Sequence, residues 1–354
     1  MIQTSQAFAD EGHDVVLFGV GSDAVRDRDL FDFYGIRGGF EVVLLPEQAR
    51  GGIQGLRYGA KLGSRMRAAG PFDLAFGRSI HALLFAPKGL PAIFEVPVPT
   101  STFPRDFPHR MVYRRSTFRG IAAVCARLRA DLIRLYPRLD PGRIVVAYNG
   151  ANVVRPEAVS RSPDWPGRPG HYQAGYAGAA FPGKGAELPL HLALRLPDVD
   201  FHVIGVPPDE YASLAAGIDI PSNLHLHGHV PAGTLGSKLS CLDCFLVPQG
   251  RRVRMDGHNR SAETLLPLKI FDGMAHGLAI CASDFGVIRE VLDDGTDALL
   301  LPPGDLGAWG RAVDGLARDP AYGRRLGEAA RRKFEARYTW RHRARTILTL
   351  AAAQ

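Results

Sequence analysis

The chain has 354 residues, 46% of them hydrophobic and 22% charged, and a formal net charge of +7 that arginine supplies almost alone. That length suits two ordinary domains better than one core, and the composition is that of a soluble globular protein, not of a disordered or fibrous chain. No apolar run approaches the roughly 20 residues that span a bilayer, Met1 leads into a polar helical pattern with no signal-type core, and the positive balance favours anionic partners.

In chain order, residues 3–12 carry a helical pattern, followed by strand candidates at 14–19, 41–45, 73–76, 92–95, 121–125 and 143–148. Helical patterns fall between several of them, as a doubly wound parallel sheet requires. A Pro-, Gly- and Arg-rich stretch over 156–170 has no periodicity and reads as an interdomain linker. The alternation then restarts, with strands at 172–176, 201–204, 224–227, 244–247, 278–282 and 298–301. The boundaries expected are a first domain at 1–155, a linker at 156–171, a second domain at 172–335 and a closing crossover helix at 336–354. The four cysteines, Cys125, Cys241, Cys244 and Cys281, lie in apolar surroundings, which fits a reducing cytoplasm. Cys241 and Cys244 form a CxxC with no second pair or nearby histidine, so it reads as a strand entry and no metal is expected.

Residues 266–305 hold the most specific signal: helix, strand, helix, strand. Pro267 opens an amphipathic helix that Gly277 closes, and Lys269 and Asp272 sit three apart on one face near its start. A helix start with a cation and a carboxylate suits a nucleotide, amides facing phosphate and carboxylate facing ribose hydroxyls. Lys184, between Gly183 and Gly185 in a strand-to-helix loop, is a second cation placed to neutralise phosphate.

The run LPLKIFDGMAHGLAICASDFGVIREVL resembles the wording SPLKxFEYMAxGxPIxASDxxxxREVL of one subgroup of family 4 glycosyltransferases. These are retaining enzymes of the GT-B architecture, so the resemblance implies an α/β chain with two Rossmann-like, doubly wound parallel-sheet domains facing a cleft. That family begins with a strand and a Gly-rich loop; here the pattern opens on the first helix, so the first domain is expected to lack its first strand and the true start to lie upstream of Met1.

Residue by residue, the resemblance implies that Lys184 binds a donor diphosphate and Asp272 holds ribose hydroxyls. The other acidic position of the family's pair falls on Thr264, with Glu263 one residue away as the candidate for the donor-sugar contact; a surface role for Glu263 is an equal reading. Gly178, Gly183, Gly185, Leu266, Pro267, Lys269 and Glu290 join them as donor-side candidates, and Gly228 and Val230 as base contacts. Ala179 stands where many relatives carry an arginine, and Lys269 is the nearest substitute. Residues 249–260 read either as a basic flexible flap over the diphosphate or as a solvated loop. In the first domain, Arg78 and Glu95 are placed at strand ends lining an acceptor-side cleft, and Asn149 and Gly150 on its hinge side. The histidine that follows the glutamate in relatives is replaced by Val96 and Pro97.

The function implied is transfer of a sugar from a UDP- or GDP-sugar to an acceptor hydroxyl with retention, an activity of EC class 2.4 needing no cofactor or metal. Its expected setting is surface polysaccharide or glycolipid synthesis in the cytoplasm, with a saccharide or lipid-linked acceptor and no nucleic acid. A non-catalytic nucleotide-sugar-binding descendant and a nucleotide-sugar 2-epimerase are the alternatives. Residues 106–138 mix aromatic residues with arginines, so docking on an anionic membrane at the inner face stands beside the plainer reading of an amphipathic helix covering the sheet.

Overall fold

The computed structural model describes residues 1–21, 27–45, 52–96, 106–154, 161–255 and 258–352. The chain forms two compact units: unit 1 holds Met1–Asn149 and Trp340–Gln354, and unit 2 holds Gly150–Thr339.

In unit 1, β1 (Val16–Val20) and β2 (Glu41–Leu45) make a parallel pair. A separate parallel sheet takes β3 (Ala75–Gly77), β4 (Ala92–Val96), β5 (Phe118–Ala123) and β6 (Ile144–Val146) in sequence order. Among the described residues no ladder joins the two sheets. The core that closes over this region is made partly by the end of the chain. Ala7 and Phe8 of the helix Ile2–Asp10 bury against Ile93, Ala122 and Ala147 together with Ala344, Ile347 and Leu350 of the helix Trp340–Ala352. Burial of Phe, Ile and Leu side chains such as Phe8, Ile347 and Leu350 contributes about 1.5–3 kcal/mol each, so the last helix is part of this unit's core and not an appendage.

Unit 2 is built on β7 (Tyr172–Ala177), β8 (Val199–Ile204), β9 (Leu224–Leu226), β10 (Cys244–Val247), the hairpin strands β11 (Arg252–Met255) and β12 (His258–Ser261), β13 (Ala279–Ser283) and β14 (Leu299–Leu301). Its six-stranded parallel sheet has the order β14-β13-β10-β7-β8-β9. From β7 the chain builds outward through β8 and β9, then returns to the other side for β10, so the direction of winding reverses between β7 and β10. The central strands are buried along their whole length, as strands covered on both faces are, and Phe201, Phe245 and Leu246 are fully buried. All four cysteines are buried, with the Cys244 and Cys281 sulfurs 3.8 Å apart on adjacent strands.

Two stretches carry more structure than their composition suggests. Of the polar segment 249–260, residues 252–255 and 258–261 pair as the antiparallel hairpin of β11 and β12, while 256–257 lie outside the described residues. Of the stretch read as a linker, 156–160 lie outside the described residues, but Trp165 stacks on His202 with ring centroids 4.1 Å apart. Arg168 is bonded through its backbone N–H and Nε to the fully buried Asp200, at 2.5 and 2.8 Å. No helix among the described residues is long and apolar enough to cross a membrane.

Candidate active site

In an open parallel sheet, ligands bind outside the carboxyl ends of the strands where the winding reverses. Here that point lies between β7 and β10, and the loops leaving these strands are 178–185 and 248–251. Gly178 leaves β7 with its N–H donating to the Ile204 carbonyl at 2.8 Å. Gly183 has φ +83°, a left-handed conformation open to glycine, and a Cβ there would lie 2.0 Å from the Arg252 carbonyl oxygen. The hairpin grips this loop by its backbone: the Gly250 N–H donates to Gly183 at 2.8 Å and the Arg254 N–H to Pro182 at 3.0 Å. The segment read as a flexible flap or solvated loop is therefore, in its described part, the wall against which the Lys184 loop is formed.

Lys184 is half-buried, and burial lowers the pKa of its ammonium. Lys269 comes to the same place from the helix Lys269–Ala275. Its Nζ is buried, makes no hydrogen bond among the described residues, and lies 3.6 Å from the centroid of the Tyr176 ring. Burial, aided by the charge of Lys184 and opposed by Asp272, pulls its pKa well below that of an ordinary lysine. Asp272 is pushed up to about 7 by burial, against the pull of Lys269. Two lysines thus come to one glycine loop with a single weakly acidic carboxyl, an arrangement short of negative charge.

Residues 176–319, which contain this site, match the family described as glycosyl transferases group 1. The chain carries a glycosyl transferases group 1 domain. It is 26% identical over 360 residues to the phosphatidyl-myo-inositol mannosyltransferase of Mycolicibacterium smegmatis, an alignment covering 96% of this chain and 85% of that protein. A glycosyltransferase from Rickettsia africae superposes with a TM-score of 0.72 at 14% identity, covering 99% of this chain and 92% of the other. HepE of Anabaena, solved in complex with UDP and glucose, gives 0.69 at 15% identity, with 97% and 100% covered. The fold is GT-B, and the chain is a glycosyltransferase of EC class 2.4.

Within the glycosyltransferase domain, the remaining candidates fall at three places. Gly185 follows Lys184 with φ +77° and packs on Pro248 after β10. Gly228 follows β9, its carbonyl accepting the Gly205 N–H at 2.7 Å, and half-buried Val230 comes two residues later. Leu266 and Pro267 are buried and lead into the Lys269 helix. Glu263 is exposed on the single turn Ala262–Thr264, with Oε2 3.4 Å from where a Cβ on Gly286 would stand. Glu290, half-buried, ends the short helix Gly286–Arg289. Three residues escaped the sequence reading. Tyr176 lies under Lys269; Gly205, φ +99°, packs on the backbone of Gly178; and Ser283 accepts the Gln249 N–H at 2.7 Å, which fixes the chain leaving β10. Only the glycine at the end of VIG carried a signal, as the strand-end partner of Gly178.

The acceptor-side candidates belong to unit 1, except Gly150, which begins unit 2. Glu95 at the end of β4 is fully buried between two arginines. Arg78 reaches its Oε1 at 2.5–2.6 Å, and Arg343 of the last helix reaches Oε2 at 2.8 Å while also bonding the Ala147 carbonyl. Burial alone would raise the pKa of Glu95, but Arg343 and Arg78 outweigh it and hold the carboxyl ionised. Asn149 is buried, and its Oδ1 has no partner among the described residues.

Proposed function

We propose that this glycosyltransferase moves a sugar from a nucleoside-diphosphate sugar to an acceptor hydroxyl with retention of configuration, in the synthesis of a glycolipid or polysaccharide and without a metal. The observation that carries the reading is the convergence of Lys184 and Lys269 at the switch point, with no carboxylate bonded to either among the described residues. Two cations facing a glycine loop match a diphosphate, whose oxygens gain negative charge as the bond from the sugar's anomeric carbon breaks. The anomeric carbon then bonds the acceptor oxygen, and the acceptor's proton passes to the departing diphosphate. Stabilising that leaving group is the contribution such preorganised cations make. Asp272, Gly228 and Val230 are assigned to ribose and base, and Glu263 and Glu290 to the sugar side, within the PLK-type subgroup that the sequence wording resembles. The UDP and glucose named for HepE and the inositol lipid named for the mannosyltransferase support a nucleotide-sugar donor and a lipid-linked or saccharide acceptor.

Calorimetric titration of UDP- and GDP-sugars tests this: one series should bind, and Lys184→Ala should weaken it by about ten- to a hundredfold, as loss of a charge-assisted phosphate contact implies. A folded protein that binds neither series, or a variant that binds as well as the parent, removes the reading.

An anionic lipid surface is the further partner proposed, because the helix Phe107–Tyr113 turns Phe107 (52% exposed), Arg110 and Met111 (45%) to solvent, with Arg114 one turn on. Co-sedimentation with vesicles containing anionic lipid should fall severalfold for Phe107→Ser/Arg110→Ser; equal sedimentation on neutral vesicles would count against charge recognition.

A further inference from the structure

The geometry points to Tyr176 as the positioning residue that holds the Lys269 ammonium ready for the donor's diphosphate, an inference resting on the donor reading above. Tyr176 is fully buried on β7, and its hydroxyl donates to the Ala179 carbonyl at 2.9 Å, which fixes the ring under the start of the glycine loop. Lys269 Nζ sits 3.6 Å from the ring centroid. A Cβ on Gly178 would lie 2.9 Å from that Nζ and 3.3 Å from the Tyr176 hydroxyl, so ring, ammonium and loop meet at one point. A buried ammonium with no hydrogen bond is costly to hold. The face of an aromatic ring is one of the few apolar surfaces that attracts a cation, and most strongly where water is excluded. The ring stabilises the ammonium without supplying an acceptor, so no described side chain or carbonyl takes up its N–H donors. A carboxylate in the same place would satisfy the lysine and compete with the ligand. Ala179, standing where an arginine is usual, leaves Lys269 as the cation at this end of the loop, which is why its placement matters here.

The test is calorimetry with UDP and GDP on the full chain and four variants: Tyr176→Phe, Tyr176→Leu, Lys269→Ala and the Leu/Ala double change. Phenylalanine keeps the ring and should bind within about twofold of the parent; leucine should bind about tenfold more weakly. In the Lys269→Ala background the leucine change should add less than about twofold, since the two side chains act as one unit. A leucine variant that binds like the parent overturns the proposal, as does an equal loss in both backgrounds, which would mark the ring as support for the fold alone. A ligand-free measurement separates this from the donor reading. With isotope-labelled lysine, the Lys269 methylene protons beside Nζ should show a ring-current shift that survives in the phenylalanine variant and vanishes in the leucine variant. If the parent binds neither nucleotide the donor reading falls, and the ring-current shift alone then decides whether Tyr176 places Lys269.

Discussion

Arg343→Ala is expected to destabilise unit 1 by about 3–5 kcal/mol, the usual cost of leaving one buried charge without its partner. Glu95 is fully buried, and among the described residues Arg343 is the ion-pair partner of its Oε2. Arg78, the other partner, has a side chain 44% exposed, so its pairing is screened by solvent. Removing it should cost much less, about 1 kcal/mol, in line with other solvent-screened pairs. Because the chain has two units, the measurement is urea-dependent hydrogen exchange read at β4 and β5. Glu95→Met/Arg343→Met, which removes both charges at similar volume, should recover most of the loss. If Arg343→Ala shifts exchange at β4 by less than Arg78→Ala does, the ion pair is not what holds this strand end.

Acidification is expected to weaken unit 2 from about pH 6.5 downward. His202, His225 and His227 stack beside Trp165 at the edge of the sheet, and His202 bridges the His227 ring at 3.0 Å and Gln173 at 2.7 Å. Burial, helped by the neighbouring histidines and Lys238, lowers the His202 pKa to about 2 and that of His227 to about 4. Burial lowers His225 as well, with Asp200 opposing. The folded rings stay neutral while the unfolded chain takes up protons below the ordinary histidine value of 6.5. Stability is therefore complete above pH 6.5 and drains away as pH falls toward about 4 and then about 2. For His202 alone the loss at pH 4.5 is on the order of 2–3 kcal/mol. Urea midpoints followed by Trp165 fluorescence should fall steadily from pH 7 to pH 4.5, and His202→Gln should flatten that slope. A parent protein with a level midpoint across this window would show that the rings carry their protons in the fold.

What the sequence made legible was what repeats along the chain. Both sheets' strands stand out because each is a short apolar run between turn residues, and Lys184, Lys269 and Asp272 stand out because glycines or a helix start flank them. The hairpin did not: RVRM and HNRS lack the alternation that marks a strand, Val253 is buried there, and backbone bonds to Pro182 and Gly183 hold this segment in place. Nor did the linker stretch, where a single tryptophan docks on a histidine whose neighbours are set by the register of β8 with β9. The partnership of Glu95 with Arg343 is the extreme case, because the two lie near opposite ends of the sequence and only the fold introduces them. Tyr176 reads from sequence as one more buried aromatic on a strand, which it also is.

The last helix has a further consequence for how the protein is made. A ribosome delivers unit 1's strands early, yet Ala344, Ile347 and Leu350, and the Arg343 guanidinium that reaches the second oxygen of Glu95, arrive after all of unit 2. During synthesis the first unit must wait, its sheet partly uncovered and an ionised carboxylate lacking one partner, while the second unit can fold to completion between the two crossings of the chain. A released chain truncated after Thr339 should thus yield a protease-resistant second unit and a digestible first one.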